Sequence, residues 1–278
     1  WNRPIFVNSP PILKRLSFPR NVKDDPVNNT VIVVPCYNDA DRLDVELFRR
    51  FAANQHALRF LFVNDGSSDR TQQILQDLHE DVPAHFDVIN LDVNSGKAEA
   101  VRRGMLTALV SGAEYVGFWD ADLATPLEAI PVFRFVMQRR EDVEIVIGTR
   151  IPLLGRSIKR QTKRKFLGRV FANVASAALG ISIYDTQCGA KMFRASRELA
   201  VALSQPFVSR WIFDVEILAR LIDARRGTEL PPVGQLLYEQ PLEQWRDIAG
   251  SRVKPADFFK AAGELATIYW RYLRPGLP

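Results

Sequence analysis

The order VIVVP (31–35), RLDVELFRRFAA (42–53), LRFLFVND (58–65), RTQQILQDLHE (70–80) decides the fold. Short, continuous apolar runs rich in β-branched and aromatic residues alternate with longer stretches of helical period. The alternation continues through FDVINLD (86–92), KAEAVRRGMLTALVSG (97–112), EYVGFWDAD (114–122), PLEAIPVFRFVMQRR (126–140) and VEIVIGTR (143–150). A strand that is apolar on both faces is covered on both faces, which makes a mostly parallel central sheet flanked by helices, an α/β fold.

Working outward, residues 1–29 carry Pro4, Pro10, Pro11, Pro19 and Pro26 without periodicity and read as an N-terminal arm. Residues 30–255 read as one domain, and 256–278 as a closing helix around PADFFKAAGELATIYWRYL. Between them, residues 156–180 read as a helix, basic first and then apolar. FDVEILARLIDARRG reads as another, ending at Gly227.

Composition bounds the class. The chain has 278 residues, 47% hydrophobic and 25% charged, ordinary for a soluble globular protein. A net charge of +5 invites an acidic partner. The two cysteines, Cys36 and Cys188, are too few for a disulfide scaffold, which fits a reducing, cytoplasmic compartment. No run reaches the roughly 18 apolar residues that span a bilayer; the longest, Val170 to Ile183, is broken by Asn173, Ser176 and Ser182. The opening WNRPIFVNSPP lacks the basic start and apolar stretch of a signal peptide.

Ligands of parallel α/β sheets bind beyond the carboxyl ends of the strands. Four strands end there in polar residues: PCYND (35–39), NDGSSD (64–69), DAD (120–122) and GTR (148–150). Asp120 and Asp122 emerge side by side after the buried run YVGFW. Paired carboxylates repel unless a cation or donors neutralise them. Oxygen ligands without His or Cys suit Mg²⁺ or Mn²⁺ bridging a diphosphate. The plainer alternative is that one Asp caps the next helix. Asp65 can accept from a nucleobase N–H, or it can simply organise its turn. Gly96-Lys97 opens a helix but lacks the spacing of a phosphate loop, and no dinucleotide-type glycine pattern follows the first strand.

Arg156, Lys159, Arg160, Lys163, Arg164, Lys165 and Arg169 precede and interleave with Phe166, Leu167, Val170, Phe171 and Val174. Such a basic amphipathic helix is a membrane-surface or anion-contacting element, or an ordinary solvated face. Phe258, Phe259, Tyr269, Trp270 and Tyr272 form either an aromatic interfacial belt or core. In DTQCGAKMF (185–193) and RWIFDVEIL (210–218), Gln187, Lys191, Asp214 and Glu216 are candidates to line an acceptor pocket. Asp214 and Glu216 lie two apart on a helix, so only one enters the site. Glu216 has a surface pairing with Arg220 as its alternative.

Together VVPCYND, FVNDGSSD, NSGKAEAVRRGM, DADLATP, GTR, DTQCGAKMF and FDVEIL resemble family-2 glycosyltransferases of the GT-A fold over about residues 30–255. The form DTQCG with FDVE is most similar to the dolichyl- and polyprenyl-phosphate sugar transferases, in the β-glucosyl branch. The resemblance implies donor contacts from Pro35, Tyr37, Asp39, Val63, Asp65, Asp120, Ala121, Asp122, Arg150, Arg246 and Arg252. It implies metal at Asp120 and Asp122, and catalysis by inversion with transfer of glucose from a UDP-linked donor. Asp39 stands where the family usually has Glu, and Arg252 where it usually has Lys.

A lipid-phosphate acceptor already carries about −1.5 to −2 charge at neutral pH and needs no strong base. Cations must hold it, and Lys159, Arg160, Lys163, Arg164, Gln187 and Lys191 are the candidates. A hydroxyl acceptor needs a base, and Asp214 is the choice. Such an enzyme is expected at the cytoplasmic membrane face, bound peripherally. A nucleotidyltransferase or a non-enzymatic nucleic-acid binder remain as other classes, although no nucleic-acid-binding motif occurs.

Overall fold

The computed structural model describes residues 29–159, 162–248 and 256–274. The proline-rich arm, apart from Asn29, therefore lies outside the described residues, as do Arg160, Arg252 and the side chains of Lys163 and Arg164. The first half alternates strictly: β1 (Thr30–Cys36), α1 (Val45–Ala52), β2 (Leu58–Asp65), α2 (Thr71–Asp81), β3 (Phe86–Leu91), α3 (Lys97–Val110), β4 (Tyr115–Trp119), α4 (Ala129–Arg139), β5 (Ile145–Thr149). The second half adds β6 (Ser157–Lys159), α5 (Thr162–Leu179), β7 (Ala190–Arg194), α6 (Arg197–Leu203) and α7 (Phe213–Arg225). It continues through α8 (Val233–Leu236), β8 (Leu237–Pro241), β9 (Gln244–Arg246), α9 (Ala256–Ile268) and a π-helical turn, Tyr269–Leu273.

The seven-stranded sheet has the order β3-β2-β1-β4-β7-β5-β8. β1 pairs in parallel with both β2 and β4, and β5 with β8. Only β7 runs against its neighbours, antiparallel to β4 and to β5. The mostly parallel sheet read from the apolar runs is the one observed. Strand order reverses at β1, whose neighbours β2 and β4 follow it in opposite directions across the sheet, and that is where such sheets hold ligands.

Two apolar layers sandwich the sheet. Along β1, Val31 and Val33 enter the layer under α3, α6 and α7, while Ile32 and Val34 enter the layer under α1, α2 and α4. This two-residue alternation makes one strand feed both cores. α3 lies close against the sheet because Gly104 has no side chain. A Cβ there would come within 2.4 Å of Val33 Cγ1. Asp44 caps α1 by accepting from Leu47 N at 2.9 Å, and Ser196 caps α6 through Leu199 N at 3.1 Å.

The expected helix over 156–180 divides. Residues 157–159 are extended and pair in parallel with β9, and the helix starts only at Thr162. Exposed Ser157 and Lys159 flank the more enclosed Ile158, which packs on the second core, so the local period is two and not 3.6. α7 ends as read, with Gly227 at φ 72° just beyond it.

Candidate active site

The carboxyl ends of β1, β2, β4 and β5 and the amino end of β7 meet at one edge of the sheet. β7 reaches that edge because it runs backwards, so residues 185–189, which precede it, arrive beside the end of β4. A cavity of about 850 Å³ opens there. Its wall carries the polar side chains of Lys97, Asp120, Asp122, Arg150, Gln187 and Asp214 together with the apolar ones of Phe171, Trp211, Phe213, Ile248 and Ala261.

Asp120 and Asp122 bracket a tight turn. Leu123 N donates to Asp120 O at 3.1 Å, Ala124 N donates to Asp122 Oδ1 at 3.1 Å, and Leu123 adopts φ 52°. A positive φ at a leucine is sterically costly and is held by its surroundings. Burial, and then the neighbouring charge of Asp120, hold the Asp122 carboxyl above the ordinary carboxylate range. Lys97 pairs with Asp120. Enclosure by the cavity wall works against its ammonium, but the charge and hydrogen bond of Asp120 prevail and raise its pKa. Arg42 stands 3.5 Å from both Asp39 Oδ1 and Asp122 Oδ2.

Asp120 fits only because its neighbour across the ladder is Gly189. A Cβ on residue 189 would lie 2.0 Å from Asp120 Oδ2. Asp120 N also donates to Gly189 O at 3.1 Å.

Asp65 uses both carboxylate oxygens on backbone, accepting from Ser95 N at 2.7 Å and Gly96 N at 2.8 Å. It thereby fixes the loop that presents Lys97. Asp39 organises the end of β1: it accepts from Tyr37 N at 2.9 Å, and its own N–H donates to Thr71 Oγ1 at 2.9 Å. Pro35, Val63 and Ala121 are buried, and Val63 packs on α3. Tyr37, Asp39 and Asp65 thus sit on neighbouring strand ends beside the cavity and do not line it.

Arg150 grips Asp185 through two bonds, Nε to Oδ2 at 2.5 Å and Nη2 to Oδ1 at 2.6 Å. Its guanidinium lies 5.1 Å from the Trp245 ring centre. Burial opposes the charge of Arg150, yet Asp185 raises its pKa further above the usual range. Arg246 and Lys159 pair across β9 and β6 and point to solvent.

Of the acceptor candidates, Gln187 and Asp214 share the wall, Gln187 Nε2 donating to Asp214 Oδ1 at 2.7 Å. Lys191 corrects the expectation. It is fully buried beneath the wall, donating to Asp214 Oδ2 at 2.9 Å and to Cys188 O at 2.7 Å. A residue in the middle of a sheet flanked on both sides cannot reach a bulky acceptor. Glu216 does pair with Arg220, at 2.6 Å, but in the core and not on the surface. Sequence reading missed Gly189, Asp185, Trp211 and Arg42. Arg42 lies three residues after Asp39 in the turn before α1. Asp185, Gly189 and Trp211 lie in the runs DTQCGAKMF and RWIFDVEIL, but their roles depend on distant partners that local sequence does not record.

The Glycosyl transferase family 2 profile matches residues 31–199. A dolichyl-phosphate beta-glucosyltransferase of Trichomonas vaginalis is 33% identical over 250 residues, covering 85% of this chain and 72% of the relative. The protein of that name from Saccharomyces cerevisiae is 30% identical over 264 residues, covering 87% and 74%. Among solved structures, glucosyl-3-phosphoglycerate synthase of Mycobacterium tuberculosis, in complex with Mn²⁺, UDP-glucose and phosphoglyceric acid, superposes with a TM-score of 0.60 at 18% identity. That match covers 87% of this chain and 80% of the synthase.

Proposed function

The chain belongs to glycosyl transferase family 2 and has the GT-A fold; from that premise we propose that it transfers glucose from UDP-glucose to a polyprenyl or dolichyl phosphate, with inversion. The relatives' names support the acceptor and the glucose, and the bound UDP-glucose of the synthase supports the donor. The observation that carries the reading is the cavity itself, whose wall combines the acidic pair and cations with aromatic and aliphatic side chains. The charged groups suit a sugar diphosphate and the apolar ones a prenyl chain.

Asp120 and Asp122 suit a divalent cation. Their donors are oxygen only, and burial, followed by the charge of Asp120, raises the pKa of Asp122, a cost that a bound cation would offset alongside Lys97 and Arg42. When bound there, Mg²⁺ or Mn²⁺ supplies charge neutralisation to the diphosphate. Lys97 and Arg150 add cationic charge to the same wall. Asp39 and Asp65 would shape the donor loops, and the family resemblance assigns Arg246 and Arg252 to the nucleotide. In the reaction an acceptor phosphate oxygen bonds to the anomeric carbon from the face opposite the leaving group. The bond from that carbon to the diphosphate oxygen breaks, and UDP departs with the electron pair.

Lipid contact fits the rim. On α5, Leu167, Val170 and Val174 are exposed along one face that adjoins the cavity through Gly168 and Phe171. Trp270 is 56% exposed with Arg274 stacked at 4.5 Å, an arrangement suited to a bilayer interface. Among the described residues no helix is long and apolar enough to cross a membrane. These features support a reading in which the chain binds peripherally at the cytoplasmic face, aided by the basic residues from Lys159 through Arg160, Lys163 and Arg164 to Arg169.

The second reading, a hydroxyl acceptor with Asp214 as base, draws on the position of Asp214 in the wall. Asp214→Asn separates the two: loss of turnover by orders of magnitude with donor binding intact selects the hydroxyl acceptor. The primary test is a thermal-shift panel of UDP-, GDP- and dTDP-glucose with and without Mn²⁺, followed by transfer of labelled glucose to dolichyl phosphate. Ligand at 100 times its dissociation constant adds about 2.7 kcal/mol. Equal response to every nucleotide, or no labelled lipid, defeats the proposal.

A further inference from the structure

The segment between α6 and α7 brings Arg210 and Trp211 to the cavity wall just before Asp214. Four consecutive backbone N–H groups in it end on carboxylates. Glu216 accepts from Val208 N at 3.1 Å and Ser209 N at 2.9 Å. Glu264 accepts from Arg210 N at 3.0 Å and Trp211 N at 3.1 Å. The preceding carbonyls of Ala202, Gln205 and Pro206 accept from Arg220 at 2.6–2.8 Å. The loop is strung, peptide by peptide, on charged side chains.

The two carboxylates do different work. Glu216 is fully buried, bonded to Arg220 and approached by the Tyr272 hydroxyl at 3.4 Å, so it belongs to the core. Glu264 stands on α9, where Lys260, Ala261 and Glu264 itself form part of the cavity wall. α9 lies beyond the residues 31–199 that the family profile matches. What Glu264 holds is the exposed part of the loop: Trp211, 38% exposed, contributes an apolar side chain to the wall. Hydrogen bonds from backbone amides to a carboxylate are short-range and strong, and here two of them fix two successive peptide planes.

We infer that Glu264 is a positioning residue for the acceptor. By fastening Arg210 and Trp211 to the C-terminal helix it sets the position of Trp211 in the cavity wall, against which the prenyl group next to the phosphate packs. This rests on the polyprenyl-phosphate reading. Both Glu264 oxygens are engaged by the Arg210 and Trp211 amides, so it acts through the loop it holds, and its effect is expected in acceptor affinity and not in the chemical step.

The test uses the full chain and citronellyl phosphate, a short soluble prenyl phosphate that removes membrane binding from the measurement. Glu264→Gln keeps the length but puts an amide NH₂ against one of two donors. Its KM for citronellyl phosphate is expected to rise about tenfold, the change that follows from losing a charge-assisted hydrogen bond. kcat, the UDP-glucose thermal shift and Tm stay near wild type. Trypsin is expected to cut after Arg210 faster than in wild type. An unchanged acceptor KM overturns the inference, and so does a parallel fall in kcat and donor binding. Should wild type fail to glucosylate citronellyl phosphate, the acceptor reading fails instead. The tryptic comparison then still decides whether Glu264 holds the loop, equal rates counting against it. Glu264→Asp replaces the Gln variant if that one does not fold.

Discussion

Lys191 holds Asp214 from below, its ammonium 2.9 Å from Oδ2, with both side chains buried at the start of the wall where the acceptor is expected. The pair joins β7 to the first turn of α7. Lys191→Met leaves the Asp214 carboxylate unpaired in the interior, where loss of one partner is expected to lower stability by about 3–5 kcal/mol. Urea denaturation measures it. Adding Asp214→Asn to Lys191→Met is expected to return part of the loss; a double variant no more stable than the single one would refute the pairing as its cause.

Asp122 gives a pH-dependent signature. Its carboxyl titrates above its ordinary value in the folded chain, first through burial and then through Asp120. The folded state therefore holds this proton more tightly than the unfolded state, and the associated stability is lost as pH rises through the folded value. Asp122→Asn cannot ionise, so the metal-free variant is expected to melt above wild type at neutral pH, with the gap closing under acid conditions. Turnover is expected to fall about 100-fold or more, the scale of losing electrostatic stabilisation at a reacting centre. Melting curves across pH, set beside rates, check both signs.

The same carboxyl competes with protons for metal. Apparent Mn²⁺ affinity in the presence of UDP is expected to fall as pH drops through the raised Asp122 value. Chelation is expected to abolish the UDP-glucose thermal shift. A shift that survives EDTA at every pH counts against cation binding at Asp120 and Asp122.

Gly189→Ala probes the floor under the acidic pair. Its Cβ would displace the Asp120 carboxylate, a side-chain end that can swing, and so the fold is expected to survive. Metal affinity is expected to weaken by about 10–100-fold, as for other residues that orient a ligand. Titration with Mn²⁺ decides it, and an unchanged affinity shows that Asp120 can bind from another rotamer.

Asp185→Ala isolates Arg150. The bidentate partner is removed while the guanidinium stays enclosed against Trp245. The expected loss is again about 3–5 kcal/mol. Asp185→Glu is expected to restore only part of it, since the longer side chain alters the fork geometry. Chemical denaturation of both variants provides the comparison.

The extent to which the site was legible differs by residue. The runs VIVVP, LRFLFVND and EYVGFW state their own burial, so β1, β2 and β4 and their polar ends could be read locally. Asp120 and Asp122 stood out because two adjacent carboxylates after a buried run need compensation wherever the strand lies. Ser157 to Lys159 misled because a short segment with one apolar residue supports either period, and only pairing with Trp245 and its neighbours makes it a strand.

Sequence alone determined the α/β class, the family and the acidic pair, because each depends on the pattern of side chains along a few neighbouring residues. Tertiary structure alone decided that β7 runs backwards between β4 and β5, which carries Gly189 under Asp120 and buries Lys191 beneath Asp214. It alone placed Glu264 against Arg210 and Trp211. Strand direction and helix docking are set by how distant segments share one core, and no local periodicity records which partner a segment meets.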